Sequence, residues 1–284
     1  MPLIRLVIIN ADDFGFAPGV NRGIVEAHDA GTLSSTSMMV NTPAFADAVE
    51  LAAARSATLG VGLHLNLLTG RPLSEVPTLA DPRTGNFYPL AKLARRALTG
   101  RVDARDVRRE CDAQLSALAT RGIRATHIDS HRHTHALPGI LPAVLGSAQA
   151  AGIRYVRRPI DKVVASDPVL SAKVLSLRTS WQTAMSAVDD AGRQLVDRSP
   201  SFRGIALQGA VDVEQRLLAA LDEFPDGTTE IMLHPGYDDV ILAAQDPYRR
   251  EREREVAALC SPAVKARLKR GDIRLVHFGS DLGG

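Results

Sequence analysis

The chain has 284 residues, of which 45% are hydrophobic and 23% charged, and its 34 Lys and Arg barely exceed its 32 Asp and Glu. That length can bury a full core without staples, and the composition excludes a disordered chain, a collagen-like repeat or a coiled coil. Near-neutral charge, with arginines scattered or interleaved among acids, excludes the clustered basic face that nucleic-acid binding needs.

The first element, LIRLVIIN at 3–10, reads as a buried strand. It is too short to span a membrane and lacks the charged start and cleavage site of a signal peptide, so a cytoplasmic protein with no membrane span is expected. Two carboxylates, Asp12 and Asp13, follow this strand. Neighbouring residues on a strand point to opposite faces, so the two should hold different tasks, one on a metal and one as a base, rather than flank one bond as in a glycosidase. One of them could instead cap the next helix.

A helix is expected at 19–30, a strand at 32–41, a helix at 43–55 and a strand at 58–66. In the last of these, TLGVGLHLN, alternation separates Val61, Leu63 and Leu65 from Gly62, His64 and Asn66. A lone histidine there is commonly structural, but its small and polar neighbours leave room for a ligand. Residues 67–102 then interrupt the pattern with a Pro- and Gly-rich stretch that predicts a long surface loop. A helix at 103–121 and a strand at 125–130 follow.

THIDSHRHTHALP, residues 126–138, holds four of the eight histidines. In an extended segment His127, His131, His133 and His135 would face one side. The helical zincin motif is absent, because Ile128 stands where that motif requires Glu. A divalent ion that keeps positions open for water and substrate needs three protein groups. Asp13, His64 and His131 are the set expected to supply them, with zinc as the ion, and Co²⁺, Ni²⁺, Mn²⁺ or Mg²⁺ as alternatives.

Beyond a helix at 138–151 come a strand at 153–158 carrying Arg157, a second insertion at 159–203 with the lone Trp181, and a strand at 204–207. Trp181 reads as a core or interface residue before a sugar platform. A helix at 212–223, a strand at 229–234 ending in His234, a helical stretch at 247–269 and a strand at 273–278 complete the chain. Within the helical stretch, YRREREREV at 248–256 predicts a solvated helix face from its opposite charges four apart. Cys111 and Cys260 have no paired spacing, which suits a reducing compartment.

Alternating strands and helices with no dividing linker predict an α/β fold, a single domain over 1–284. Seven or eight such units suggest an irregular (β/α) barrel with the insertions beside its site. In such barrels chemistry sits at the carboxyl ends of the strands, where Asp12, Asp13, His64, Asp129, His131, Arg157 and His234 all fall.

NADDFG at 10–15, GVNRGIVEAH at 19–28, STSMMVN at 35–41, GLHLN at 62–66, the histidine-rich stretch and MLHPGY at 232–237 together resemble the YdjC family of carbohydrate deacetylases. The resemblance implies a distorted, TIM-like barrel related to polysaccharide deacetylases, releasing acetate from an N-acetylated sugar such as a chito-oligosaccharide. It implies Asp12 as catalytic base, Asp13, His64 and His131 as metal ligands, His234 as general acid and Arg157 as the group orienting the base. It also implies a homodimer.

Three other readings compete. A hopanoid-associated branch of the family acts on lipid-linked N-acetylglucosamine, and Asn10 and Asp129-Ser130 depart from it. An amidohydrolase barrel would open with His-x-His on its first strand. A non-catalytic sugar- or metal-binding protein would have no use for both Asp12 and His234.

Overall fold

The strands β1 (Arg5–Phe14), β2 (Ser35–Met38), β3 (Gly60–Leu65), β4 (Ile128–Ser130), β5 (Ser201–Arg203), β6 (Thr228–Leu233) and β7 (Ile273–Leu275) form one sheet in a computed structural model that describes residues 5–162, 167–223 and 227–282. Every pairing is parallel, in the order β4-β3-β2-β1-β6-β5. β7 joins the same edge of β1 as β2, pairing Arg5–Val7 while β2 pairs farther along. β1 therefore has neighbours on both edges and is buried from Val7 onward, which is why it reads as an unbroken apolar run rather than an alternating one.

Helices cover the outside: α1 (Pro18–Asp29), α2 (Phe45–Ala53), α3 (Leu90–Leu98), α4 (Ala104–Ala119), α5 (Leu141–Ala150), α6 (Pro168–Met185), α7 (Asp190–Asp197), α8 (Val213–Asp222), α9 (Val240–Gln245), α10 (Arg250–Cys260) and α11 (Pro262–Leu268). Their apolar faces meet Val7, Ile9, Leu63, Leu65, Ile231 and Leu233 in one core. Burying each such side chain contributes roughly 1.5–3 kcal/mol. Among the described residues no helix is long and apolar enough to cross a membrane.

The architecture is the expected distorted α/β barrel, and its irregularity lies at one seam. The strand expected at 153–158 contributes only an isolated bridge, Val156 to Ile128. Ser199 closes the gap towards β5: its hydroxyl donates to the Val156 carbonyl at 2.7 Å and accepts from the Val156 N–H at 3.3 Å. The strand expected at 204–207 lies at 201–203 instead, and 204–207 is a turn closed by Leu207 N–H donating to the Gly204 carbonyl. The stretch 247–269 divides at Pro262, which lacks the N–H to continue α10, and Ser261 caps α11 by accepting from the Val264 N–H at 3.2 Å.

The insertion at 67–102 carries α3, and the rest of it is pinned rather than free. Glu110 on α4, fully buried, accepts from the Leu73 and Ser74 N–H groups at 3.0 Å each. Asp106, one turn earlier, accepts from the Thr78 N–H at 2.9 Å. The insertion at 159–203 holds α6 and α7. Trp181 is buried there, edge-on to His135.

Candidate active site

Strand alternation would turn Asp13 away from Asp12, but Asp13 has φ +70 and breaks the alternation. The register against β2 shifts between Ala11 and Phe14, and both carboxylates line one cavity of 580 Å³. Asp tolerates the left-handed region better than most residues, at a cost of about 1–2 kcal/mol. Asn21 on α1 stabilises this turn: its Oδ1 accepts from the Gly15 N–H at 2.7 Å. Gly15 follows at φ +93, where a Cβ would stand 2.6 Å from the Met39 carbonyl oxygen.

Asp13 Oδ1 lies 2.9 Å from His131 Nδ1 and 3.2 Å from His64 Nε2, and its Oδ2 accepts from Arg252 Nη2 at 2.7 Å. Burial opposes its ionisation, yet Arg252 and His131 hold it well below the usual carboxylate range. His64 Nδ1 lies 2.7 Å from Asp129 Oδ1. Burial alone would lower His64, but Asp129, Asp13 and Asp12 raise it to about 10. This ring thus sits in a field of three buried carboxylates that calls for a positive charge.

Ligand atoms of Asp13, His64 and His131 all lie within 4.8 Å of one another, so this buried cluster could hold a metal ion. One carboxylate with two imidazoles is a donor set that leaves coordination positions open. Asp129 on the far nitrogen of His64 is the outer carboxylate that fixes a ligand imidazole's tautomer and orientation. Asp12, His64 and Asp129 form a second group within the same limit. There, however, the cation is already present as Arg157.

Arg157 is buried and bridges three acids. Its Nη1 and Nη2 donate to the two oxygens of Asp12 at 2.6 and 2.7 Å, Nη2 lies 2.6 Å from Asp129 Oδ2, and Nε donates to Glu230 Oε1 at 2.8 Å. The fork fixes the Asp12 carboxylate in one plane. His135 Nε2 donates to the Arg157 carbonyl at 2.9 Å, and its own Nδ1 meets the Ser130 hydroxyl. Burial pushes Glu230 up to about 7 against the pull of Arg157.

His234 directly follows β6, with Nε2 3.9 Å from Asp12 Oδ2 and its Nδ1 buried without a partner among the described residues. Burial lowers it to about 4. Close contact between α1 and the loop after it sets its position. At Gly23 a Cβ would stand 2.6 Å from Gly236 Cα, and at Gly19 2.1 Å from the Tyr237 carbonyl oxygen, so only glycine fits either place. The Glu255 carboxylate accepts from the His234 backbone N–H.

Among the four clustered histidines, only His131 joins Asp13 and His64. The extended geometry expected for the segment fails, since Arg132 and His133 adopt φ +53 and +54. His127 is stacked on Phe278 at 3.9 Å between centroids, away from the cavity, while His133 lines the cavity against Phe202.

The arginine-glutamate run is not wholly solvated: Arg252 and Glu255 are each 1% exposed and face the site. Val256 and Leu259, four and seven residues after Arg252, are buried on the same helix face. Tyr248, whose hydroxyl donates to Glu255, and Glu230 were also missed. Glu230 lies inside an apolar strand with nothing local to mark its partner.

Residues 6–270 match the family model for YdjC-like protein. The chain is 35% identical to a carbohydrate deacetylase of Geobacillus stearothermophilus, covering 96% of this chain and 97% of the relative. It is 34% identical to a carbohydrate deacetylase of Mus musculus, covering 96% and 94%. A crystal structure from Enterococcus faecalis V583, described as a candidate cellobiose-phosphate cleavage protein, superposes with TM-score 0.74 at 28% identity over 96% of this chain and 97% of that one. The chain belongs to the YdjC-like protein family.

Proposed function

We propose that the protein is a metal-dependent carbohydrate N-deacetylase, one domain over 1–284, that hydrolyses the acetamido group of an N-acetylated amino sugar to acetate and a free amine. Chito-oligosaccharides and related N-acetylglucosamine compounds are the substrate class, a cytoplasmic homodimer is the expected form, and zinc is the expected ion. The carrying observation is the juxtaposition, at one mouth, of the Asp13-His64-His131 cluster with Asp12 and His234. The relatives named carbohydrate deacetylases support the substrate class.

Asp13, His64 and His131 would hold the ion, which when bound lowers the pKa of a coordinated water and polarises the acyl oxygen. Asp12, held in plane by Arg157, takes the proton of the attacking water. Amide nitrogen cannot leave as an anion, so it must be protonated before the C–N bond breaks. His234 does this. Its Nε2 lies 3.9 Å from Asp12 Oδ2, beyond direct hydrogen-bond distance, so the two groups act as separate acid and base.

Acetate release from N,N′-diacetylchitobiose by protein reconstituted with Zn²⁺, and lost again with a chelator, is the expected result. A fully metal-loaded protein that releases no acetate from a panel of N-acetylated sugars would sink the proposal.

A further inference from the structure

Arg252 has work left over after its contacts are counted. It is 1% exposed and its guanidinium is fixed on two of three nitrogens: Nε donates to the Tyr248 carbonyl at 2.9 Å, and Nη2 donates to Asp13 Oδ2 at 2.7 Å, with Asp246 Oδ2 at 3.5 Å. Its face packs on the Tyr248 ring, 5.2 Å from Cζ to the centroid. Nη1 is buried and has no partner among the described residues. A buried donor on a charged group is costly to leave unpaired, so such an atom in a fixed frame implies an acceptor from outside the chain.

The acceptor can be placed by neighbourhood. Arg252 lines the same cavity as Asp12, Asp13, His131 and His234, where bond cleavage is proposed. The cavity's other donors are Arg132 and His133 in the histidine segment's kink, Lys173 on α6, Gln208 in the turn after β5, and Tyr248, whose hydroxyl already donates to Glu255. Through Asp13, Arg252 is hydrogen-bonded to the cluster that takes the reacting acyl group, whereas among the described residues none of these five side chains bonds to Asp13, His64 or His131. A guanidinium N–H matches an oxygen that gains negative charge.

We propose that Arg252 is a catalytic residue whose Nη1 donates to the acyl oxygen of the substrate, and afterwards to a carboxylate oxygen of the acetate product. The assignment rests on the deacetylase reading. Its two contacts divide the labour: Nη2 steadies Asp13, and Nη1 follows the charge that develops on substrate.

The test uses full-length protein loaded with Co²⁺, the variants Arg252→Lys and Arg252→Gln, and acetate as the probe. Metal content is measured first, then the acetate Kd from the Co²⁺ visible spectrum, then kcat and KM for N,N′-diacetylchitobiose. Both variants are expected to hold one Co²⁺ per chain, bind acetate at least tenfold more weakly than wild type, and lose about 100-fold in kcat with KM nearly unchanged, the scale for one oxyanion donor. Full metal with an acetate Kd within twofold of wild type in both variants overturns the assignment. So does loss of metal from both, which would reduce Arg252 to a support for Asp13, and so does a wild-type protein that does not bind acetate. Wild type that binds acetate through Arg252 yet releases none from sugars leaves the assignment standing and refutes the deacetylase reading instead.

Discussion

Arg157→Lys separates charge from shape at the centre of the site. The native guanidinium makes charge-assisted contacts to Asp12, Asp129 and Glu230 within 2.6–2.8 Å, all four residues being no more than 1% exposed. A lysine ammonium is a single point that cannot span three carboxylates, so at least two contacts are lost. At about 1.5–3 kcal/mol for each bond to a charged group, the expected loss is about 3 kcal/mol or more, close to the 3–5 kcal/mol for breaking a buried pair. The metal should be retained, because Arg157 reaches the proposed ligands only through Asp129 behind His64. Turnover should fall about 100-fold, the order expected when a catalytic group is misplaced by an ångström. Urea unfolding of the metal-loaded protein, metal analysis and acetate release measure the three quantities. A variant within 1 kcal/mol and threefold of wild type would refute the view that the fork holds Asp12.

Asp12→Asn should keep its metal and lose about 100- to 10,000-fold in kcat, the range for a positioned general base, while His131→Ala should lose the metal itself. Full metal in the His131 variant on elemental analysis would reassign the ligand. Gly62→Ala would put a Cβ 2.3 Å from the His127 ring, and overpacking of this kind costs about 1–3 kcal/mol. In the Gly62→Ala/His127→Ala double variant that clash is gone, so the two effects should be non-additive by 1 kcal/mol or more, at roughly the scale of contacting pairs. Strict additivity in denaturant titrations would show that the ring moves aside freely. Burial pushes the Cys111 thiol up to about 12 and also raises Cys260. Thiolate is the reactive form. A disulfide reagent at pH 8 should therefore label no more than one thiol per native chain, and two after denaturation.

Residue chemistry at strand ends made much of this site legible. Asp12, Asp13, His64 and His131 stand out because charge and imidazole at the ends of apolar strands have few structural uses, and a parallel barrel brings those ends together. The left-handed backbone at Asp13 was not legible: alternation is a rule about regular strands, and the register shift against β2 suspends it. Arg252 and Glu255 were hidden by their own neighbours, because a run of alternating charge looks solvated whether or not one face of it is turned inward. The seam at Val156 was obscured for a related reason. A strand-like composition at 153–158 does not reveal that its outer partner is a serine hydroxyl 43 residues later. In the insertion at 67–102 Pro and Gly marked the loop correctly, but the buried carboxylates that hold it come from α4.

The segment from Asp129 to His135 touches several parts of the candidate site: Asp129 braces His64 and Arg157, His131 meets Asp13, and His135 holds the Arg157 backbone. The proposed metal ligands and proton acceptor are thereby referenced to the same seven residues. When this segment drifts in thermal motion, both groups drift with it, and the spacing between them changes less than either position does. Tolerance to movement comes here from sharing the displacement rather than suppressing it. A mutation that loosens the segment should accordingly broaden the whole site's position before it spoils the site's internal geometry.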